Sequence, residues 1–175
     1  MKQKILLIAV MILSAWSCTF SQTKVYAYAQ PVVSGVSPQG IVDETGKEVK
    51  QQQRSRFNHY FYIQHSRCKK NVKPVAIWMD GRAWNVKYNA VDSTPVYIAN
   101  IKFPGTTDKT ILVPKTRKKV LSLQIDYDRP IDTPASASLQ KMINESDIVF
   151  EYTINGKTKY KSLKKLTLLE PVATM

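Results

Sequence analysis

Two runs of alternating side chains, "PVAIWM" and "RAWNVKY", flank Asp80-Gly81 with nothing else between them. That arrangement dictates an antiparallel hairpin, because Asp-Gly is a favoured pair for a two-residue type I′ turn whose twist matches the strands it joins. The register sets Met79 opposite Arg82, Ile77 opposite Trp84 and Val75 opposite Val86. Successive strand residues point to opposite faces, so Val75, Ile77, Trp84 and Val86 share a core face. Ala76, Trp78, Ala83, Asn85 and Lys87 share the other. Trp78 is then a large aromatic on the polar side, either covered by a neighbouring element or a binding surface.

The same pattern recurs along the chain. "KVYAYAQ", "FNHYFYIQ", "PVYIANIKF", "KVLSLQIDY" and "DIVFEYTI" are rich in β-branched and aromatic residues and are bounded by Gly, Pro, Asn and Asp. Regularly spaced short strands of this kind indicate a sandwich or barrel. The expected fold is all-β, an immunoglobulin-like sandwich forming one domain over residues 22–175. One stretch departs from it: in "SASLQKMINES", Leu139, Met142 and Ile143 fall at helical spacing, predicting a short helix near 137–145.

A second hairpin lies in "DIVFEYTINGKTKYKSL". A two-residue Asn155-Gly156 loop pairs Phe150 with Lys161 and Tyr152 with Lys159, which mixes the faces. A three-residue loop from Ile154 to Gly156 pairs Phe150 with Tyr160, Tyr152 with Thr158 and Glu151 with Lys159, and side-chain patterning favours it. Lys157, Lys159 and Lys161 then face solvent, with Lys164 and Lys165 following. Such lysines blunt an exposed strand edge or form an anion-facing strip. "KTRKK" (Lys115, Arg117, Lys118, Lys119) extends that strip if the fold brings the two together.

At the start of the chain Lys2 and Lys4 precede an apolar run from Ile5 to Trp16, and small residues follow in "SCTFS". A charged segment, a short apolar segment and a small-residue cut site make a secretory signal, and the run is shorter than the roughly 20 residues that span a bilayer. Cleavage is expected after Ser21, leaving 175 − 21 = 154 residues that begin at Gln22. The alternative is a lipidated Cys18, flanked by small Ser14, Ala15 and Ser17. Both readings export the chain to the periplasm or beyond, and no later stretch is apolar enough to span. The composition and the Gln after the cut resemble envelope proteins of Gram-negative bacteria, with no narrower family indicated.

Charge is the dominant compositional signal, with 26 Lys+Arg against 13 Asp+Glu and a net +13. Such a field attracts anions of any kind. Export points away from nucleic acid and toward an anionic envelope component or an acidic protein face. With Cys18 removed or lipidated, Cys68 is left without an intrachain disulfide partner.

Both histidines and Cys68 fall in "HYFYIQHSRC". On a strand, His59 and His65 share a face but stand about 20 Å apart, whereas one zinc ion holds its nitrogen ligands at about 2.0 to 2.1 Å. A shared metal is therefore excluded while the segment is extended. His59 is expected among Phe57, Phe61 and Ile63, with Tyr60 and Tyr62 on the opposite face as candidate stacking aromatics. His65 and Cys68 can approach if "HSRC" turns, and Arg67, Lys69 and Lys70 favour a thiolate, so a thiol-dependent enzyme is the alternative to a non-catalytic binding module. A structural accessory subunit of an envelope complex is a further alternative.

Asp126 and Asp128 offer an i, i+2 carboxylate pair about 6.5 Å apart on a strand, a spacing found in inverting glycosidases, though nothing else in the chain supports that chemistry. Phosphate-cradling glycine motifs and the G-x-S-x-G elbow are absent. No cofactor or metal is implied.

Overall fold

Nine strands join into one hydrogen-bonded sheet in the computed structural model, which describes residues 23–34, 41–42, 48–49, 56–66, 71–102, 106–132 and 134–174. In chain order the elements are β1 (Lys24–Ser34), β2 (Ile41–Val42), β3 (Glu48–Val49), β4 (Arg56–His65), β5 (Val72–Met79), β6 (Arg82–Ala90), β7 (Val96–Lys102) and β8 (Thr106–Val113). They continue with β9 (Lys119–Ile131), α1 (Ala137–Asn144), β10 (Ile148–Ile154), β11 (Lys157–Leu163), β12 (Thr167–Leu168) and β13 (Val172–Thr174). The sheet runs β11-β10-β5-β6-β9-β4-β1-β12, with β13 also on β1, while β2–β3 and β7–β8 form separate two-stranded pairs.

Along this path alternate residues meet on one side. Ala27, Phe61, Ile77, Leu123 and Phe150, from five different strands, belong to a single buried cluster on which Trp84, Val86 and Leu163 also pack. One face of one sheet can bury itself only by curling, and β1 comes into contact with β11 across the resulting seam.

The convex side is covered in two places. The β7–β8 hairpin packs Leu112 and Val113 onto Tyr62 and Val120, and the Tyr28 hydroxyl donates to the Leu112 carbonyl. The helix seats Leu139 on Trp78, Ala83 and Val149. It starts where the sequence predicts: Ser136 is extended and its Oγ accepts the Leu139 N–H at 3.3 Å, satisfying one free donor of the first turn.

The chain is therefore mostly β with one short helix, but the strands form one curled sheet in place of two facing sheets. Two further expectations change. The Asp80-Gly81 hairpin keeps its register, with Ile77 on Trp84 and Met79 on Arg82, and both turn residues have positive φ. Val75, however, leaves the core. Pairing with β10 jumps from Ala76–Glu151 to Pro74–Tyr152, so Val75 is an extra residue and is 37% exposed while Ile77 is 0% exposed. Pro74 explains the jump: a proline has no N–H for the ladder and is tolerated in an interior strand at a bulge.

The second correction concerns Asn155-Gly156. Ile154 pairs with Lys157, Tyr152 with Lys159 and Phe150 with Lys161, which is the two-residue register. Asn155 (φ 49°) and Gly156 (φ 78°) are both left-handed, as a type I′ turn requires. Turn chemistry prevails over patterning because β11 ends the sheet path. Its inward row needs no burial there, and Lys157, Lys159 and Lys161 are all exposed. On its other face Tyr160 packs under the helix.

Truncating Ile77 to Ala is expected to cost about 2–5 kcal/mol, whereas Val75→Ala stays within about 0.5 kcal/mol of the parent. Urea unfolding of both variants checks the bulge, since a regular β5 would make the two losses comparable.

Candidate functional site

A strongly basic concave surface is built from two connections. The segment after β6 (Val91 to Thr94) runs beside the one joining β8 to β9, tied by the Val91 N–H donating to the Val120 carbonyl at 2.9 Å. Thr94 Oγ1 donates to the Thr116 carbonyl at 3.0 Å and accepts the Thr116 N–H at 2.9 Å. Thr116 Oγ1 accepts from the Lys118 N–H at 3.1 Å and from Gln64 Nε2 at 3.3 Å. Gln64 is itself buried and accepts from the Tyr26 hydroxyl at 2.7 Å.

This framework holds a cleft of about 690 Å³ lined by Val91–Thr94 and Lys115–Lys119. Lys115, Arg117, Lys118 and Lys119 contribute four positive charges against the single carboxylate of Asp92. None of the four is ion-paired with a described residue. Their charge is thus uncompensated, on a loop fixed by hydrogen bonds at Thr116. The arrangement can hold an anion electrostatically.

Lys157, Lys159, Lys161, Lys164 and Lys165 are exposed along and just beyond β11. The fold does not merge this strip with the cleft, since no residue of β11 lines it.

Two of the three outward aromatics, Trp78 and Tyr62, are covered. Trp78 is 7% exposed beneath the helix and its Nε1 donates to Glu151 Oε2 at 3.1 Å. Tyr62 is buried against the β7–β8 hairpin, and half-buried Tyr60 donates to Gln30 Oε1 at 3.0 Å. Cys68, together with Arg67, Lys69 and Lys70, lies outside the described residues, as do Cys18 and residues 1–21. His65 is 4% exposed, with Nδ1 at 3.0 Å from the Ser66 carbonyl.

His59 packs on the concave side as expected, stacked on Phe61 with ring centroids 5.8 Å apart. The sequence reading missed its partner, Tyr127, whose hydroxyl is 2.9 Å from His59 Nδ1. Pairing of β6 with β9 jumps from Asn85–Asp126 to Trp84–Pro130, so Tyr127, Asp128 and Arg129 are extra residues and the regular spacing of Asp126 and Asp128 is lost. Bulges re-aim side chains, and this one turns Tyr127 onto His59 and edge-on to Trp84 at 5.4 Å. Asn85 Nδ2 fixes it by donating to the Arg129 carbonyl at 3.1 Å. Pro130 inside an interior strand was the available sequence signal. Beside the bulge β4 pairs with β9 only from Phe61 to His65, and the two strands part toward His59.

Among the described residues no three His, Cys, Asp or Glu side chains are grouped closely enough to hold a metal ion, and no helix is long and apolar enough to cross a membrane. Comparison with known proteins gives no match among family models, curated sequences or solved structures.

Burial pushes the His59 imidazole below its usual range, an effect that the Asp80 carboxylate partly offsets. On acidification the unfolded chain then takes up its proton first, so stability falls from the ordinary histidine pKa downward until the lowered folded-state value is passed. His59→Gln is expected to flatten this part of the profile. Melting temperatures of parent and variant between pH 7.5 and 5 check it, and parallel profiles would refute it.

Proposed function

We propose that the chain is an exported, non-catalytic binding module that holds an anionic component of the cell envelope. Its carrying observation is the cleft beside Thr116, where four cations stand without ion-pair partners among the described residues on a hydrogen-bonded loop. Export rests on the layout of residues 1–21, and the net charge, +13 for the full chain and +11 without Lys2 and Lys4, supplies the long-range attraction. The β11 lysines are a secondary contact that adds to association without defining the site.

Sedimentation of the mature chain with phosphatidylglycerol vesicles, with phosphatidylcholine vesicles and with soluble polygalacturonate tests this reading. Binding is expected to the two anionic probes alone. At a membrane surface each basic residue contributes about 1 kcal/mol, so K115Q/R117Q/K119Q should weaken vesicle binding by on the order of 100-fold. K157Q/K159Q/K161Q should weaken it less. Equal losses in the two triple variants would replace the cleft with diffuse surface charge, and binding to a polyglutamate chain alone would point to an acidic protein face.

Thr116→Val leaves every charge in place but removes the acceptor used by Lys118 N–H and Gln64 Nε2. It is expected to reduce vesicle affinity several-fold, with Thr116→Ser restoring it. Unchanged affinity in Thr116→Val would show that loop order does not matter.

A further inference from the structure

A second cavity lies on the concave side at the other end of the strands. It has a volume of about 320 Å³ and is lined by Ala29, Phe57, His59, Met79, Ile148, Leu166 and Leu168, together with the carboxylates of Asp80 and Asp147. Pairing of His59 with Ala29, and of His65 with Lys119 at the basic loop, sets this cavity about 20 Å from the cleft along β4. At roughly 30 Å³ for each water-sized group the space holds about ten non-hydrogen atoms, and it falls in the size range of small-molecule pockets.

Its chemistry is the reverse of the rest of the molecule. The chain carries twice as many basic as acidic residues, 26 against 13, yet neither lysine nor arginine lines this cavity and both of its charged groups are acidic. Neither Asp80 nor Asp147 is ion-paired with a described residue. Asp147 Oδ2 accepts the Leu166 N–H at 2.9 Å, which leaves its other oxygen for a ligand. Asp80 sits in the β5–β6 turn, and its charge is felt at both His59 and Tyr127. Burial keeps the imidazole neutral at neutral pH, so it does not repel a cation. The Phe57 and His59 rings, with centroids 6.3 Å apart, give the cavity an aromatic wall, and aromatic faces attract cations.

We propose that this cavity binds a small apolar organic cation, a primary amine with a hydrocarbon body of about eight carbons. The hydrocarbon lies against Ala29, Ile148, Leu166 and Leu168, and the ammonium faces Asp80 and Asp147. The site is separate from the anion-binding cleft and does not depend on that reading.

Calorimetric titration of the mature chain with octylamine, octan-1-ol and octanoate tests the proposal, with amide chemical shifts locating the ligand. Octylamine is expected to bind saturably and shift Ala29, Ile148 and Leu168. Octanol should bind about tenfold more weakly, and octanoate more weakly still. D80N/D147N should bring octylamine down to the octanol level. It preserves the fold, since asparagine also suits a type I′ turn and the amide that replaces the Asp147 carboxylate keeps an acceptor oxygen for the Leu166 N–H. An unchanged melting temperature verifies this. K115Q/R117Q/K119Q should leave octylamine binding unaltered. Octanoate binding as tightly as octylamine, absence of saturable octylamine binding, or an undiminished affinity in a folded D80N/D147N protein would each overturn the proposal.

Discussion

A single sheet with apolar residues on one face has to bury that face against something, and here it buries it against itself. Phe61, Ile77, Leu123 and Phe150 come from strands spread across the sheet path yet share one cluster. The strands need their neighbours to complete the curl, and among the described residues no separate layer supplies the core. Everything else is arranged around that closure. The β7–β8 hairpin and the helix cover convex patches that the curl leaves bare, and the two candidate sites sit at opposite ends of the rolled sheet.

Irregularity near two prolines gives the sheet its local relief. The bulge at Pro74 turns Val75 out of the core and brings Val72 into it, on the same face as Tyr152. Pro130 marks the point where β9 gains the extra residues that bring Tyr127 against His59. The Trp84 indole packs on the core beside this bulge, with its buried Nε1 lacking a hydrogen-bond partner among the described residues. The basic cleft depends on a different device, the mutual pairing of Thr94 with Thr116, which lets one side chain imitate a strand neighbour.

Local signals are legible in the sequence, and their limits are physical. Asp80-Gly81, the helix at Leu139 and the parity of His59 with Phe61 each rest on neighbours in the chain. Asn155-Gly156 departs from expectation because ranking patterning above turn chemistry holds for interior strands and fails at an edge such as β11. The choice between two sheets and one curled sheet depends on strand order, which alternation does not encode. The partnership of Tyr127 with His59 joins residues 68 positions apart through a bulge. Only the prolines hint at that irregularity. Trp78 and Tyr62 look like surface aromatics because nothing in their own strands announces the helix and hairpin that cover them.

β4 is two kinds of strand in one. From Phe61 to His65 it has β9 hydrogen-bonded along one side, while from Arg56 to Tyr60 its ladder runs to β1 alone. Local opening is cheapest where the fewest backbone bonds must break, so the half of β4 paired on one side alone opens at lower cost than the half paired on both. The loosened half carries Phe57 and His59, the aromatic wall of the apolar cavity. The anchored half carries Gln64, which braces the basic loop. One strand thereby joins an end held on both sides to an end held on one, and opening at the cavity need break none of the bonds that brace the loop.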